Sequence, residues 1–389
     1  MRALDCQTFA GTFALATRDA GFDLVGKRES GNFGVPMYLD NADLLGIDPA
    51  TVQVGDADGW VPENVDLVFG NPPCSGFSLL STCINLAGHT DDRAEQQDYR
   101  GVHSPANAGM RNLIDLAGSC DPTIVIFESV TGAFKQGRSL MQELHAQLEL
   151  EAGATYTLHH VLHNNLTLGG YAERNRYFFV ASRVPFGVEY PELDRLLTLR
   201  DAIGDLQHTP FDLVTGHVTI GTPRARRLSE LASKVEWNPG EASGVAFQRA
   251  IKQNIELEHW NRDKPGIDSR TTMYAASRWK YDTPARVLRK YACEEQVHPE
   301  EPRPFTYREC ARIMGLPDEW RVGTAIGNQI GQQFFGKGIP YKSGRWIAEW
   351  AAASLNGQPG SVQGDQIGDR EYVIDVRKQP EWTEPQLPL

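Results

Sequence analysis

A cysteine that directly follows an apolar run is the first residue of this sequence whose position favours covalent chemistry. The run VDLVF (65–69) predicts a buried strand, and GNPPCSGFS (70–78) follows it. A Pro-Pro pair cannot continue a strand and fixes a stiff turn, which presents Cys74 at the carboxyl end of that strand. A thiolate there is a candidate nucleophile, whereas the alternative is a buried loop cysteine that acts as a small hydrophobe.

Two further segments place charged side chains at strand ends. Glu128 directly follows the apolar run TIVIF. A carboxylate at the end of a buried strand is unfavourable unless it has a function. The alternative is a structural carboxylate that binds a helix N-terminus. Arg174 and Arg176 alternate as a strand begins, so both point to one face and suit a phosphate or a base carbonyl. The alternative for the arginines is a surface pair with Glu173.

The elements that must position these groups are strands alternating with helices. The apolar runs predict strands at 5–10, 22–27, 65–70, 123–129, 155–163 and 176–182. Helical patterns lie between several of these runs, which predicts a doubly wound α/β domain with a mainly parallel sheet. Ligands bind such sheets at the carboxyl ends of the strands, where Cys74 and Glu128 are expected.

The composition excludes several classes of protein. A chain of 389 residues with 41% hydrophobic and 23% charged residues is typical of a globular protein of two or three domains. Its six cysteines form no CxxC pair, so neither a zinc site nor a disulfide framework is indicated, and no metal is expected. The sequence has no apolar run long enough to span a membrane and no signal-peptide core, so the cytosol is the expected compartment.

Charge is distributed unevenly along the chain. The net charge is −12, yet residues 224–290 hold 14 Lys and Arg against 8 Asp and Glu, a local balance of +6. A basic segment inside an acidic protein is typical of a nucleic-acid footprint, and a solvated basic face is the alternative. The candidate phosphate contacts are Arg224, Arg226, Arg227, Arg249, Lys252, Arg270, Arg278, Lys280, Arg286, Arg289 and Lys290.

The order of the motifs resembles the DNA (cytosine-carbon-5) methyltransferases. Seven segments carry the resemblance in the family's order: 9–22, NPPCSGFS (71–78), FESV (127–130), RNR (174–176), 198–206, 298–320 and GKGIP (336–340). Any one of them could be chance, but seven in order are a strong signal. The resemblance covers residues 1–206 and 298–355, and it implies a Rossmann-like class I methyltransferase domain with a second, smaller target-recognition domain.

This resemblance implies methyl transfer from S-adenosylmethionine to carbon-5 of cytosine in duplex DNA, with the target base flipped into the protein. Cys74 would add to carbon-6 of the ring, which makes carbon-5 nucleophilic. Glu128 would contact ring nitrogen 3 and the exocyclic amine, which requires a raised pKa. Arg176 would hold the cytosine carbonyl oxygen, and Arg174 a neighbouring phosphate.

The resemblance also implies a cofactor site at the first strand's turn. Glu29, after the second strand, would hold the ribose hydroxyls, and Asp56 would meet the adenine amine. The residues assigned to the cofactor are Phe9, Gly11, Glu29, Asp56, Pro72 and Lys337.

Two residues depart from the family pattern near the cofactor. Phe13 takes the place of a glycine and must point away or reshape the pocket. Lys337 stands where the family has an asparagine beside the transferred methyl, and a charge about 4 Å from a sulfonium is unfavourable by roughly 4 kcal/mol. Either Lys337 turns away, or the enzyme is weak, or the cofactor is carboxy-S-adenosylmethionine and the product 5-carboxymethylcytosine.

The predicted catalytic domain joins 1–195 with 305–355, and 196–304 is the predicted target-recognition domain. Residues 356–389 are rich in Gly, Gln and Asp and predict a flexible tail. We expect a monomer that binds duplex DNA and no membrane. The alternatives are cytosine methylation in RNA and a non-catalytic DNA-binding relative. A restriction partner, a solitary methyltransferase and phage self-protection all fit the sequence.

Overall fold

The computed structural model describes residues 1–31, 34–55, 60–77, 101–258, 276–289, 292–323, 326 and 329–378. It divides the chain into two units. The first unit comprises Met1–Gly170, Arg174–Arg195 and Gly338–Leu389, and the second comprises Tyr171–Glu173 and Leu196–Lys337.

A nine-stranded sheet forms the centre of the first unit, in the order β10-β11-β6-β7-β5-β4-β1-β2-β3 across the described residues. Its strands are β1 Arg2–Cys6, β2 Asp23–Glu29, β3 Val52–Val54, β4 Leu67–Gly70, β5 Ile124–Ser129, β6 Thr157–Asn164, β7 Asn175–Ser182, β10 Asp365–Gly368 and β11 Glu371–Val376. Strand β7 runs antiparallel to β5 and β6, and β10 to β11, while the other neighbours are parallel. The predicted Rossmann-like, mainly parallel α/β class is confirmed.

Helices flank this sheet, and further helices belong to the second unit. In chain order they are α1 Thr12–Asp19, α2 Val35–Asp40, α3 Ala42–Leu45, α4 Ala108–Cys120, α5 Thr131–Ala152, α6 Leu199–Ile203, α7 Pro223–Lys234, α8 Ser243–Lys252, α9 Ala292–Glu295, α10 Tyr307–Ile313, α11 Gln329–Lys337 and α12 Tyr341–Leu355. Helix α4 packs on α5, and α12 returns to pack on α1. None of the described helices is both long and apolar enough to cross a membrane.

Strand β1 ends earlier than the sequence predicts. The predicted strand covered 5–10, but β1 ends at Cys6 and a turn follows, in which Gln7, Phe9 and Gly11 all have positive φ. Positive φ is unfavourable for residues with a Cβ, so this turn stores backbone strain at the carboxyl end of a central strand.

Phe13 does not line that turn. Its side chain is 1% exposed and packs edge-on against Phe69, with ring centroids 5.0 Å apart, and near Phe178 at 6.0 Å. A Cβ on Gly344 of α12 would lie 3.0 Å from the Phe13 ring. The large side chain in the family's glycine position therefore points into the core between α1, the sheet and α12.

The prediction of a flexible tail over 356–389 was wrong for residues 365–376. They form β10 and β11, and β11 pairs in parallel with β6 from Glu371↔Leu158 to Val376↔His163. The Gly-rich stretch before them concealed the strand, because EYVIDV becomes a strand only when the edge of β6 offers hydrogen bonds. Residues 379–389 of the predicted tail lie outside the described part of the chain.

The second unit has its own small core of buried residues, which includes Leu231, Trp237 and Val297. Strands β8 Ser277–Arg278 and β9 Gln296–Val297 pair in parallel there. A capping box starts α10: the Thr306 side chain accepts from the backbone N–H of Glu309, and the Glu309 side chain accepts from that of Thr306. The unit extends to Lys337, so the segment 305–337 belongs with it rather than with the predicted catalytic domain.

Candidate active site

The loop that carries Cys74 is anchored by a buried phenylalanine. Pro72 is buried, Pro73 is exposed and Cys74 is half-buried, and a short 3-10 turn over Ser75–Phe77 follows. The backbone N–H of Phe77 donates to the carbonyl of Cys74 over 3.1 Å. A Cβ on Gly137 of α5 would lie only 2.6 Å from the Phe77 ring, so the glycine makes room for this anchor. The loop therefore leaves β4 in a defined direction, towards the first turns of α5.

Glu128 lies in the middle of a cluster at the carboxyl ends of β4 and β5. Gly70 of β4 pairs with Phe127 of β5, so the next residues, Asn71 and Glu128, are neighbours. Asn71 Nδ2 donates to Glu128 Oε2 over 2.5 Å, and Arg176 Nε lies 2.9 Å from Oε1. Glu128 is 1% exposed, and burial raises its pKa, an effect that Arg176 and Arg174 oppose.

The two arginines of the RNR motif differ in their surroundings. Arg176 is half-buried, pairs with Glu128 and also donates to the carbonyl of Asn175 over 2.8 Å. Arg174 is 2% exposed, and burial together with the neighbouring Arg176 lowers its pKa to about 9. The expected contact of Arg174 with a phosphate stays a prediction, because this side chain is enclosed by the protein.

Cys74 experiences opposing influences from the same cluster. Burial raises the pKa of its thiol, and the charge of Glu128 raises it further. Arg176, Arg174 and the backbone N–H of Val130 act in the opposite direction, though not enough to reverse the shift. The resting form is therefore the thiol, and neutralising Glu128 makes the thiolate more accessible. We call Asn71, Cys74, Glu128, Arg174 and Arg176 the Cys74 cluster.

A second polar cluster lies at the carboxyl ends of β1 and β2. Glu29 Oε2 accepts from the backbone N–H of Phe9 over 3.1 Å and lies 3.2 Å from Lys27 Nζ. Lys27 Nζ is also 3.2 Å from Asp5 Oδ1, and both of these side chains are fully buried. Gly11, with φ of 97°, closes the turn, and a Cβ there would lie 2.7 Å from the Tyr38 ring. Lys27 thus ties β1 to β2 around the predicted cofactor turn.

The charged side chains of this second cluster shift one another's pKa values. Burial on its own lowers the pKa of Lys27, but the carboxylates of Asp5 and Glu29 outweigh it and the pKa is raised. Burial raises the pKa of Glu29, with Lys27 opposing. The sequence analysis missed Lys27, although a lysine two residues before Glu29 shares its strand face and was a usable signal.

The remaining predicted cofactor residues are dispersed. Asp56 lies outside the described residues. Pro72 is buried beside Gly109 of α4, whose Cβ would lie 3.5 Å from it. Lys337 is the exposed last residue of α11 and belongs to the second unit. The described part of the chain contains no group of three or more His, Cys, Asp or Glu that could hold a metal ion.

Two of the basic residues expected to contact phosphate have structural partners in the second unit. Arg278 donates to the carbonyls of Trp237, His298, Pro299 and Glu300. Arg249 pairs with Glu241, Nη2 to Oε1, at 2.5 Å. The exposed basic side chains of the described segment are Arg226, Lys234, Lys252, Lys280 and Arg286, while Arg270 and Lys290 lie outside it.

A family model described as "C-5 cytosine-specific DNA methylase" matches residues 1–351. The chain belongs to this family. Its members are S-adenosylmethionine-dependent methyltransferases that act on DNA, so the predicted family and enzyme class are confirmed. The match spans the segments that carry Cys74, Glu128 and the RNR motif.

Curated relatives of this chain are named Type II methyltransferases. M.Eco47II of Escherichia coli is 25% identical over 264 residues, 66% of this chain and 56% of that protein. M.MthTI of Methanothermobacter thermautotrophicus is 23% identical over 305 residues, 76% of this chain and 81% of that protein. The chain therefore spans little more than half the length of the first of these relatives.

Solved structures share the fold of this chain. A candidate DNA modification methyltransferase encoded within an E. coli prophage has a TM-score of 0.58 and 16% identity, over 92% of this chain and 99% of that one. The methyltransferase EhMeth of Entamoeba histolytica has a TM-score of 0.54 and 13% identity, over 91% and 98%. At these identities the likeness concerns the fold alone.

Proposed function

We propose that this protein transfers a methyl group from S-adenosylmethionine to carbon-5 of cytosine in duplex DNA, through a covalent bond between Cys74 and a flipped base. The observation that carries the proposal is the Cys74 cluster. It brings a thiol and a buried carboxyl group at the carboxyl ends of β4 and β5 together with two guanidinium groups at the amino end of the antiparallel strand β7. Because the target carbon is out of reach inside a duplex, the base must leave the stack.

The cofactor fits the second polar cluster. Glu29 offers a carboxylate beside a glycine-containing turn, an arrangement that suits a pair of ribose hydroxyls. When bound, S-adenosylmethionine supplies an electrophilic methyl group. Glu29, Phe9 and Gly11 would hold it, and Lys27 keeps Glu29 in place through the 3.2 Å contact.

The chemistry on cytosine follows from the Cys74 cluster. The thiolate of Cys74 bonds to carbon-6, and the electron pair of the carbon-5–carbon-6 double bond makes carbon-5 nucleophilic. Protonated Glu128 donates to ring nitrogen 3, and Arg176 donates to the carbonyl oxygen, which together neutralise the charge that develops on the ring. Once carbon-5 carries the methyl group, it loses its proton and the thiolate of Cys74 leaves.

Mass spectrometry of nucleosides tests this proposal directly. Mixed-sequence duplex DNA is incubated with the protein and an equimolar mixture of S-adenosylmethionine and carboxy-S-adenosylmethionine, then digested. We expect 5-methylcytosine with the wild type and none with Cys74→Ser, whose folding is checked by thermal unfolding. Duplex DNA that contains 5-fluorocytosine should trap a covalent adduct on Cys74, because the fluorine cannot leave as a proton does.

Other products would point elsewhere. A peak of 5-carboxymethylcytosine would favour the alternative cofactor paired with Lys337, whose side chain is exposed. Product on tRNA but not on duplex DNA would favour an RNA substrate. Absence of product and of adduct would contradict the proposal and favour a non-catalytic relative. The names of the relatives favour a role beside a restriction enzyme, which a search of neighbouring genes would test.

A further inference from the structure

Asn71 is the one member of the Cys74 cluster to which neither the sequence analysis nor the proposed reaction gives a role. It follows β4 directly, next to Glu128 in the register of the sheet. Its Nδ2 donates to Glu128 Oε2 over 2.5 Å, while Arg176 Nε lies 2.9 Å from Oε1 on the other side. Each oxygen of the carboxyl group therefore contacts a donor on a different strand end.

We propose that Asn71 is a positioning residue for Glu128, whose side-chain amide holds the carboxyl group in one orientation while its protonation state changes. The inference rests on the proposed function and adds to it the residue that controls Glu128. Asn71 need not touch the cytosine to act in this way.

The chemistry of an amide suits this task. Glu128 must be available as an acid in the reaction, yet its surroundings in the free protein include two arginines that favour the carboxylate. An asparagine has both a donor and an acceptor. It can donate a hydrogen bond from Nδ2–H to the carboxylate and, after rotation of the amide, accept a hydrogen bond from the carboxylic acid O–H through Oδ1. A side chain with only one of these functions would favour one protonation state.

Titratable groups near Glu128 or near its two arginines come from three neighbouring segments. Cys74 belongs to the loop after β4, and Arg174 and Arg176 belong to the start of β7. His163 of β6 is fully buried and stacks on Phe178 with ring centroids 4.5 Å apart. Besides burial, the charges of Arg176 and Arg174 help to lower its pKa. Burial lowers the pKa of His163 to about 3, so this ring stays neutral above that pH and does not compete for the role of Asn71.

The test is the pH dependence of Glu128 in variants of Asn71. Asn71→Ala removes a donor to the carboxylate, so the pKa of Glu128 should rise by about one pH unit. Asn71→Asp has the same shape but adds a negative charge, so the rise should be larger. Asn41→Ala is the matched control, because Asn41 is also buried in the first unit but donates to the Met37 carbonyl over 2.8 Å.

Two readouts are needed. The first readout is the dependence of kcat on pH. The limb of this profile that is absent in Glu128→Gln belongs to Glu128. It should move to higher pH in both Asn71 variants and stay in place in Asn41→Ala. The second is the infrared carboxyl band that Glu128→Gln lacks, followed against pH in the free protein without any turnover. The pH at which this band appears should move upward in the Asn71 variants even if the proposed methyl transfer fails.

The outcomes separate the two proposals. A wild type that makes no methylated product, but whose carboxyl band moves on Asn71 substitution, would overturn the proposed function and keep this inference. A loss of activity in Asn71→Ala and Asn71→Asp with neither the limb nor the band displaced would overturn the inference, because a merely structural residue behaves in that way. An unfolded Asn71→Ala leaves the isosteric Asn71→Asp as the deciding variant.

Discussion

At the scale of single residues, the negative charge of Glu128 disfavours the thiolate form of Cys74 in the free protein. The charge of Glu128 and burial both raise the pKa of the Cys74 thiol, so the free protein holds a thiol rather than a reactive thiolate. A base that leads Glu128 to take up a proton removes one of these two obstacles. In the proposed reaction, the cluster would therefore couple the activation of Cys74 to the protonation of Glu128, and the thiol form would protect the cysteine from oxidation between reactions.

This coupling predicts the effect of Glu128→Gln on Cys74. Removing the negative charge should lower the pKa of the thiol, so alkylation by iodoacetamide at pH 7.5 should be several-fold faster than in the wild type. Peptide mass spectrometry resolves Cys74 from the other cysteines and reports the rate at each pH. The buried Cys120 is the internal control and should show no change. An unchanged or upward-shifted alkylation profile at Cys74 would contradict the coupling.

At the scale of elements, one carboxylate fastens strand β11 to the rest of the first unit. Arg138 of α5 donates to both oxygens of Glu371 over 2.9 Å. His160 Nε2 lies 2.8 Å from Oε1, and Gln142 donates to Oε2 over 3.0 Å. These hydrogen bonds outweigh the effect of burial and lower the pKa of Glu371 to about 2. The hydrogen bond from Arg138 makes the largest contribution to this shift. The strand that the sequence analysis assigned to a flexible tail is thus bound to β6 and α5.

Glu371→Gln should weaken this attachment in a pH-dependent way. A depressed carboxyl pKa contributes stability above the unfolded value of about 4.3, and this contribution disappears as the pH falls towards 2. The wild type should therefore exceed the variant by up to about 3 kcal/mol in free energy of unfolding at pH 6, and by less at pH 3. Urea titrations at both pH values measure the difference.

Asp365→Asn is the matched control for that prediction, because Asp365 is an exposed carboxylate on the neighbouring strand β10. It should leave the free energy of unfolding nearly unchanged at both pH values. An equal loss of stability for Glu371→Gln at pH 6 and pH 3 would show that Glu371 acts through packing rather than through charge.

At the scale of the whole molecule, the proposed function requires an acidic chain to bind an acidic polymer. The local balance of +6 over residues 224–290 is the expected DNA-binding footprint. Some of these basic side chains, such as Arg249 and Arg278, instead bind groups of the second unit itself. The exposed cations of the described segment, such as Lys280 and Arg286, are better candidates for phosphate contacts. Affinity for DNA should therefore depend on few residues and steeply on salt.

The double variant Lys280→Ala/Arg286→Ala should bind duplex DNA about tenfold more weakly at low salt. The slope of log Kd against log salt should fall by roughly 2, because two phosphate contacts are lost. Fluorescence anisotropy with a labelled duplex at several salt concentrations measures both. The control Lys135→Ala/Lys342→Ala removes the same charge from exposed positions of the first unit and should leave the slope unchanged. Equal slopes for the two double variants would exclude the assigned contacts.

Local patterns in the sequence determined the class of the fold and the chemical groups of the site. Apolar runs such as TIVIF become buried strands wherever they lie, because burial on both faces of a parallel sheet requires continuous hydrophobic residues. Motif order placed Cys74, Glu128 and the RNR arginines at strand ends, and the structure brings these residues into one cluster. The cap at Thr306 was equally predictable, since a capping box depends on residues three positions apart.

What depends on distant partners was decided only by the tertiary structure. Strand β11 exists because β6 offers it an edge, and Phe13 fits because Gly344 of α12 leaves room for its ring. Lys27 is tolerated in the interior because Asp5 and Glu29 surround it, and Asn71 gains a role because Glu128 lies beside it on the next strand. Hydrogen bonds and buried charges act over a few ångströms of space, and a sequence does not state which residues lie that close.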